Sequence, residues 1–178
     1  MNEALELQLQ EDFPFMKRNI SEHERNTTYQ KWGCEVSGDG WYPLLHALCQ
    51  AITDRYLEDN MPVEEIIIVQ IKQKYGALKF YYSFEGSPIF IHALDSLGGT
   101  SIRFYPTEVD NDNQIKNLRL RDIAKIVRAY EDRSKTTCEA CGNQGSVIRM
   151  EMNWKQTLCD DCYGKYLKKL KDNGKRGT

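Results

Sequence analysis

Four cysteines near the end of the chain constrain its folding more than any other feature. Cys138 and Cys141 stand in CEACG, and Cys159 and Cys162 in CDDC, with 17 residues between the two pairs. Two residues between paired cysteines allow a tight turn that aims both sulfurs at one point, and two such pairs supply the four corners of a tetrahedral site. The spacing predicts one zinc ion held by Cys138, Cys141, Cys159 and Cys162. With four thiolates the coordination sphere is closed, which makes the expected ion structural rather than catalytic.

The residues around these pairs predict the local fold. Gly142 follows Cys141 directly, as a knuckle requires where the chain turns with positive φ. GSVIRMEMNWKQTL has the length of a hairpin. After Cys162 the apolar residues Tyr163, Tyr166, Leu167 and Leu170 recur at helical spacing, so the second pair opens a helix. Knuckle, hairpin and helix together describe a treble clef. Gly164 within this helix costs about 1 kcal/mol relative to alanine.

A chain of 178 residues can bury one sizeable core with a small appendage. Its 40% hydrophobic and 28% charged residues are those of a globular protein, and no apolar run approaches the roughly 18 residues of a membrane span. The opening MNEALELQLQEDF is acidic and lacks a secretory pattern, so the expected compartment is the cytoplasm, where paired cysteines bind metal rather than form disulfides. A net charge of −2 argues against indiscriminate nucleic-acid binding. Charge is nevertheless uneven. Residues 1–24 carry six acids, and the end of the chain carries Lys165, Lys168, Lys169, Lys171, Lys175 and Arg176 against Asp172. That basic stretch reads either as a solvated helix face or as a phosphate contact.

Three segments follow from the pattern: an arm over 1–31, an α+β core over 32–134, and a zinc-binding module with a basic helix over 135–178. In the arm, a short helix leads into Pro14. In the core, the glycine-rich turn WGCEVSGDGW precedes Pro43, and Leu45, Leu48, Cys49, Ile52 and Tyr56 form the stripe of a helix ending near Asn60. IIIVQIKQKYGALKFYYSF is a hairpin turning at Tyr75-Gly76. Strict alternation places Ile67, Val69 and Ile71 with Leu78, Phe80 and Tyr82 on the buried face. Residues 87–99 fit a short helix started by Ser87 and Pro88, with a strand as the alternative. Residues 100–105 fit a strand and 109–113 a loop. Ile115, Leu118, Ile123, Ile126, Val127 and Tyr130 mark a second main helix. The expected fold class is α+β, a small antiparallel sheet packed by two main helices with a C-terminal treble-clef-like zinc module.

Candidate sites outside the cysteine cluster are weaker. Cys34, His46 and Cys49 offer a second, poorer ligand set, but Cys49 lies on the apolar stripe. Glu35, Asp39 and Lys72 are the nearest approach to a metal-dependent nuclease, although Gln70 stands where such strands carry a carboxylate. Capping the following helix is the preferred explanation of Asp39, since it requires only what is present. A nucleotide or small-ligand sponge is a third reading, with Gly38 and Gly40 approaching the ligand. The hairpin's polar face offers a binding surface: Gln70, Lys72, Lys79 and Tyr81, with Lys74 and Tyr75 at the turn. Lys168 and Lys169 of the basic helix extend the candidate set.

WGCEVSGDGWYPLLHALC, QIKQKYGALKFYY and SKTTCEACGNQGSVIRMEMNWKQTLCDDC, in that order, resemble a family of small, largely uncharacterised proteins encoded by bacteriophages and prophages. The resemblance covers most of residues 32–162, and this chain departs from it by added sequence around 86–113. It implies a phage accessory protein in a bacterial host cytoplasm, acting on a host or defence component, and it carries over no catalytic residues. The expected function is a non-catalytic zinc protein that binds a macromolecular partner, protein or nucleic acid, with no membrane partner. An inhibitor of a host defence factor is one form of it.

Overall fold

The longest sheet element is the hairpin of β1 (Ile66–Lys74) and β2 (Ala77–Phe84), paired antiparallel. The computed structural model describes residues 1–17, 36, 38–61, 63, 65–84, 93–95, 101–103, 114–151 and 154–174. Tyr75 and Gly76 both take positive φ, 54° and 77°, which gives the two-residue turn whose twist matches that of the strands.

Register departs from strict alternation. A shift between Ile68 and Gln70 inserts one extra residue in β1. Beyond such a bulge every side chain changes face. Ile66 and Ile68 are therefore buried along with Ile71, Leu78, Phe80 and Tyr82, while Ile67, expected inside, is exposed.

Helix α1 (Glu3–Asp12) is capped by the Asn2 side chain, which accepts from the Leu5 N–H, and a 3-10 turn follows over Pro14–Met16. Leu9, Phe13 and Met16 are buried in the main core. Helix α2 (Tyr42–Glu58) has Pro43 in its first turn and buries Leu44, Leu45, Leu48, Cys49, Ile52 and Tyr56, the expected stripe. It ends before Asn60, which takes φ 54°.

Helix α3 (Gln114–Ser134) buries Ile123 and Val127 of its expected apolar stripe, with Ile126 and Tyr130 packed against the core, but departs from that stripe in its first turns. Ile115 and Leu118 are exposed, and the buried positions are Arg119, Ile123, Val127, Glu131 and Ser134. The polar members are matched to partners from elsewhere in the chain. Arg119 pairs with Asp59 at 2.8 Å and Glu65 at 3.2 Å, and its guanidinium lies over the Tyr56 ring. The Glu131 carboxylate accepts from the Phe80 N–H and the Ser134 hydroxyl from the Leu78 N–H, both at 2.8 Å. α3 thus satisfies edge donors of β2 with side chains and closes that edge to further strand pairing.

Residues 93–95 form β3 (Ala93–Asp95), which pairs antiparallel with β4 (Ser101–Arg103). This corrects the expected helix over 87–99 where it is described. A strand partner eight residues on supplies hydrogen bonds to a segment that has little length for a stable helix, although Ala93 and Leu94 are themselves good helix formers. The remaining residues of 87–99 and the loop at 109–113 lie outside the described residues. The chain closes with the hairpin of β5 (Val147–Glu151) and β6 (Trp154–Leu158) and with α4 (Asp160–Gly174). The fold is α+β. No helix among the described residues is long and apolar enough to cross a membrane.

Candidate metal centre

The knuckle at Thr137–Gln144 closes through backbone hydrogen bonds, Cys138 N–H to the Asn143 carbonyl and Gly142 N–H to the Cys138 carbonyl, each 2.9 Å. Gly142 takes φ 81°, as the knuckle requires. The hairpin β5–β6 then returns the chain so that Cys159 and Cys162 stand at the start of α4. All four sulfurs lie within 4.8 Å of one another, and those of Cys141 and Cys159 are 3.7 Å apart. A tetrahedral ion with metal–sulfur bonds of about 2.3 Å needs sulfur–sulfur edges of about 3.8 Å, so the donor set fits one such ion.

Electrostatics agree with a cation at the centre. Burial by itself raises the Cys138 thiol, but hydrogen bonds to the backbone of Cys159, Cys141 and Ala140 outweigh it and bring the group down to about 7. Burial and then the neighbouring sulfurs push Cys162 up. At Cys141 the backbone bond at Asn143 lowers the thiol, but burial and the Cys138 and Cys159 thiols together leave it raised. Four crowded thiols cannot all ionise alone, and a divalent ion removes that conflict. The amino end of α4 adds a favourable dipole.

The knuckle is built into the core. Gly40 donates its N–H to the Glu139 carbonyl at 2.9 Å, and the Trp41 indole donates to the Thr137 carbonyl at 2.8 Å. A side chain at Gly40 would place its Cβ 2.3 Å from the Cys138 oxygen and 2.5 Å from the Gly142 nitrogen. Gly38, at φ 100°, approaches the Glu139 carbonyl in the same way. Glu139 itself is fully buried. Its carboxylate accepts from the Thr157 N–H at 2.8 Å and the Gln73 amide at 3.3 Å, and Thr157 donates its hydroxyl to the Gly76 carbonyl. Sequence reasoning passed over Glu139, because a carboxylate between two ligand cysteines reads as solvated until its partners are known.

Among the described residues these cysteines are the one cluster suited to a metal. In the alternative set, His46 pairs with Asp12 at 3.2 Å against the Phe13 ring, and Cys49 is a buried core residue whose thiol burial pushes up. Cys34 lies outside the described residues. The described members of the acidic constellation, Asp39 and Lys72, are engaged with other partners. Asp39 accepts from the Asn2 backbone N–H at 2.7 Å and side-chain amide at 2.9 Å, which lowers its carboxyl below the ordinary 3.8. It does not cap α2 with its side chain as expected; Trp41 stands at that N-cap without a side-chain bond. The Lys72 ammonium lies over the Tyr81 ring at 5.4 Å, and Glu35 lies outside the described residues.

The hairpin's binding candidates are adjacent through register, Gln70 opposite Tyr81 and Lys72 opposite Lys79. They are less open than expected. Tyr81 is buried, Gln70, Lys72, Lys74 and Lys79 are half-buried, and Tyr75 is exposed. Lys168 and Lys169 are exposed on α4, a separate element that is held to the β5–β6 hairpin by Arg149 over the Tyr163 ring.

Models of known protein families, curated proteins and solved structures yield no match to this chain.

Proposed function

We propose that this chain is a non-catalytic zinc protein that binds a macromolecular partner. One observation carries the reading. The glycine-rich turn, which is the segment most suggestive of a ligand cradle or an acid site, is occupied in docking the knuckle. Gly38 and Gly40 abut the backbone at Glu139 and Cys138, and Asp39 is held by Asn2. A nuclease using Asp39 and a sponge using these glycines both require groups that already have structural partners. Zinc is the ion of choice for a four-thiolate set closed to substrate.

In this proposal, which follows the resemblance to proteins encoded by bacteriophages and prophages, the partner is a component of a bacterial host cytoplasm, with a host defence factor as one such target. Large apolar side chains left in solvent on the β5–β6 hairpin, Val147, Ile148, Met150 and Trp154, support binding over catalysis. The test is affinity capture from bacterial lysate by the tagged chain, with and without nuclease treatment. The expected result is a stoichiometric partner. Recovery of no protein and no nucleic acid overturns the reading.

A further inference from the structure

The β5–β6 hairpin sits across the turn of β1–β2. Ile148 pairs with Thr157 and Met150 with Lys155 on one face of it. The Thr157 end of that face is pinned to Gly76 and Glu139. Ile148 thereby reaches the neighbouring turn, where a Cβ at Gly76 would lie 3.0 Å from its Cγ2. Yet Ile148 is 45%, Met150 62% and Tyr75 42% exposed, so large apolar side chains from two hairpins gather in solvent on one surface. The ammonium groups of Lys74 and Lys155 lie 5.2 and 5.9 Å from the Tyr75 ring centroid. Each is within reach of a cation–π contact.

Tyr75 carries a second, independent signal. At φ 54° it occupies a left-handed position that glycine or asparagine fills without difficulty and a bulky side chain does not. The turn folds worse for having a tyrosine there, and what the tyrosine supplies is an aromatic ring held out between two cations. Local strain of this kind points to a use for the side chain.

We infer that Tyr75, Ile148 and Met150, rimmed by Lys74 and Lys155, are the docking surface for a protein segment that interleaves apolar side chains with carboxylates. The inference rests on the binding-protein reading above and gives its partner a chemistry. Charge complementarity selects carboxylates, since the named charged residues of this surface are both cations. The aliphatic members select a protein, since Ile148 and Met150 offer no flat face on which bases stack. A tyrosine with an adaptable methionine is also what buried centres of protein interfaces favour.

The test selects peptides from a random-peptide display library on the zinc-loaded full chain and measures their affinity by fluorescence anisotropy, with a single-stranded oligothymidylate as the second probe. Enriched peptides should combine Asp or Glu with Leu, Ile or Phe, and their binding should weaken severalfold from about 50 to about 300 mM salt. The double variant Met150→Asp/Lys155→Glu should weaken them about tenfold or more. Tyr75→Asn, which keeps the left-handed turn, should weaken them as well. Lys125→Ala, at an exposed lysine of α3, should leave them unchanged. Thermal melts establish that each variant is folded. Peptides without acidic residues, or affinities unmoved by both hairpin variants, overturn the inference even where lysate capture still yields a partner. Oligothymidylate binding that the double variant abolishes, with no peptide enriched, also overturns it and assigns the surface to nucleic acid.

Discussion

Gly40 meets Cys138 so closely that no other residue fits between them: a Cβ on Gly40 would lie 2.3 Å from the Cys138 carbonyl oxygen. The contact joins a turn in the first quarter of the chain to the first cysteine of the candidate metal centre. Folding of the core and closure of the metal site are therefore linked events.

The first prediction concerns two glycines with opposite roles. Gly40→Ala forces knuckle backbone apart, a strain of about 3 kcal/mol or more, and should lower zinc affinity with it. Gly164 lies within α4, where an added Cβ meets nothing within 4 Å. Gly164→Ala should stabilise the chain by about 0.5–1 kcal/mol. Denaturant midpoints at unchanged slope read both changes.

Metal content and metal removal form the second. Protein purified without chelator should hold one zinc per chain, and Cys138→Ser or Cys162→Ser should reduce this well below one. Structural zinc contributes on the order of 10 kcal/mol in small modules. Because Gly40, Trp41 and Gln73 all bond to the module, chelation should also speed amide exchange in the turn at 38–41 and at the end of β1. Loss of protection confined to residues 135–174 would contradict the linkage.

Edge closure by α3 gives the third. Glu131→Ala leaves the Phe80 N–H buried without its carboxylate partner, and Ser134→Ala does the same to the Leu78 N–H. Each should cost about 1–3 kcal/mol. Hydrogen exchange should accelerate first at Leu78 and Phe80.

The fourth is a pH dependence. Backbone and then side-chain hydrogen bonds from Asn2 lower the Asp39 carboxyl below 3.8. A carboxyl whose folded value is depressed binds its proton more readily in the unfolded chain. Its contribution to stability is therefore complete above 3.8 and lost as pH falls through the lower folded value. The stability difference between the native chain and Asp39→Ala, about 0.5–1 kcal/mol for so exposed a site, should be constant near neutrality and shrink below pH 3.8. A difference that grows on acidification would contradict this assignment.

Local periodicity was a sound guide wherever one residue's environment depends on near neighbours. The α2 stripe from Leu45 to Tyr56, the Tyr75-Gly76 turn and the CxxC spacing all express short-range geometry, and the structure has each in place. Periodicity failed where a distant partner decides. Ile67 faces solvent because a bulge at Ile68/Gln70 changes the face of β1. Arg119 and Glu131 are buried on α3 because Asp59, Glu65 and the Phe80 N–H receive them. The apolar stripe expected for α3 holds at Ile123 and Val127, with Ile126 and Tyr130 against the core, and fails at Ile115 and Leu118, which are exposed.

The sequence by itself determined the gathering of the four cysteines, the α+β class and the main helices and hairpins, because spacing, turn residues and apolar period act within a few residues of chain. Only the tertiary structure decided what the glycine-rich turn packs against. Nothing within SGDG distinguishes a ligand cradle, an acid site and a packing contact. The choice among them depends on what stands opposite, and that is the backbone of a knuckle about a hundred residues away. The same holds for the surface at Tyr75, whose neighbours Ile148 and Lys155 come from another hairpin. Steric exclusion and hydrogen bonding reach only a few ångströms, so they can be read only after the fold has brought distant residues together.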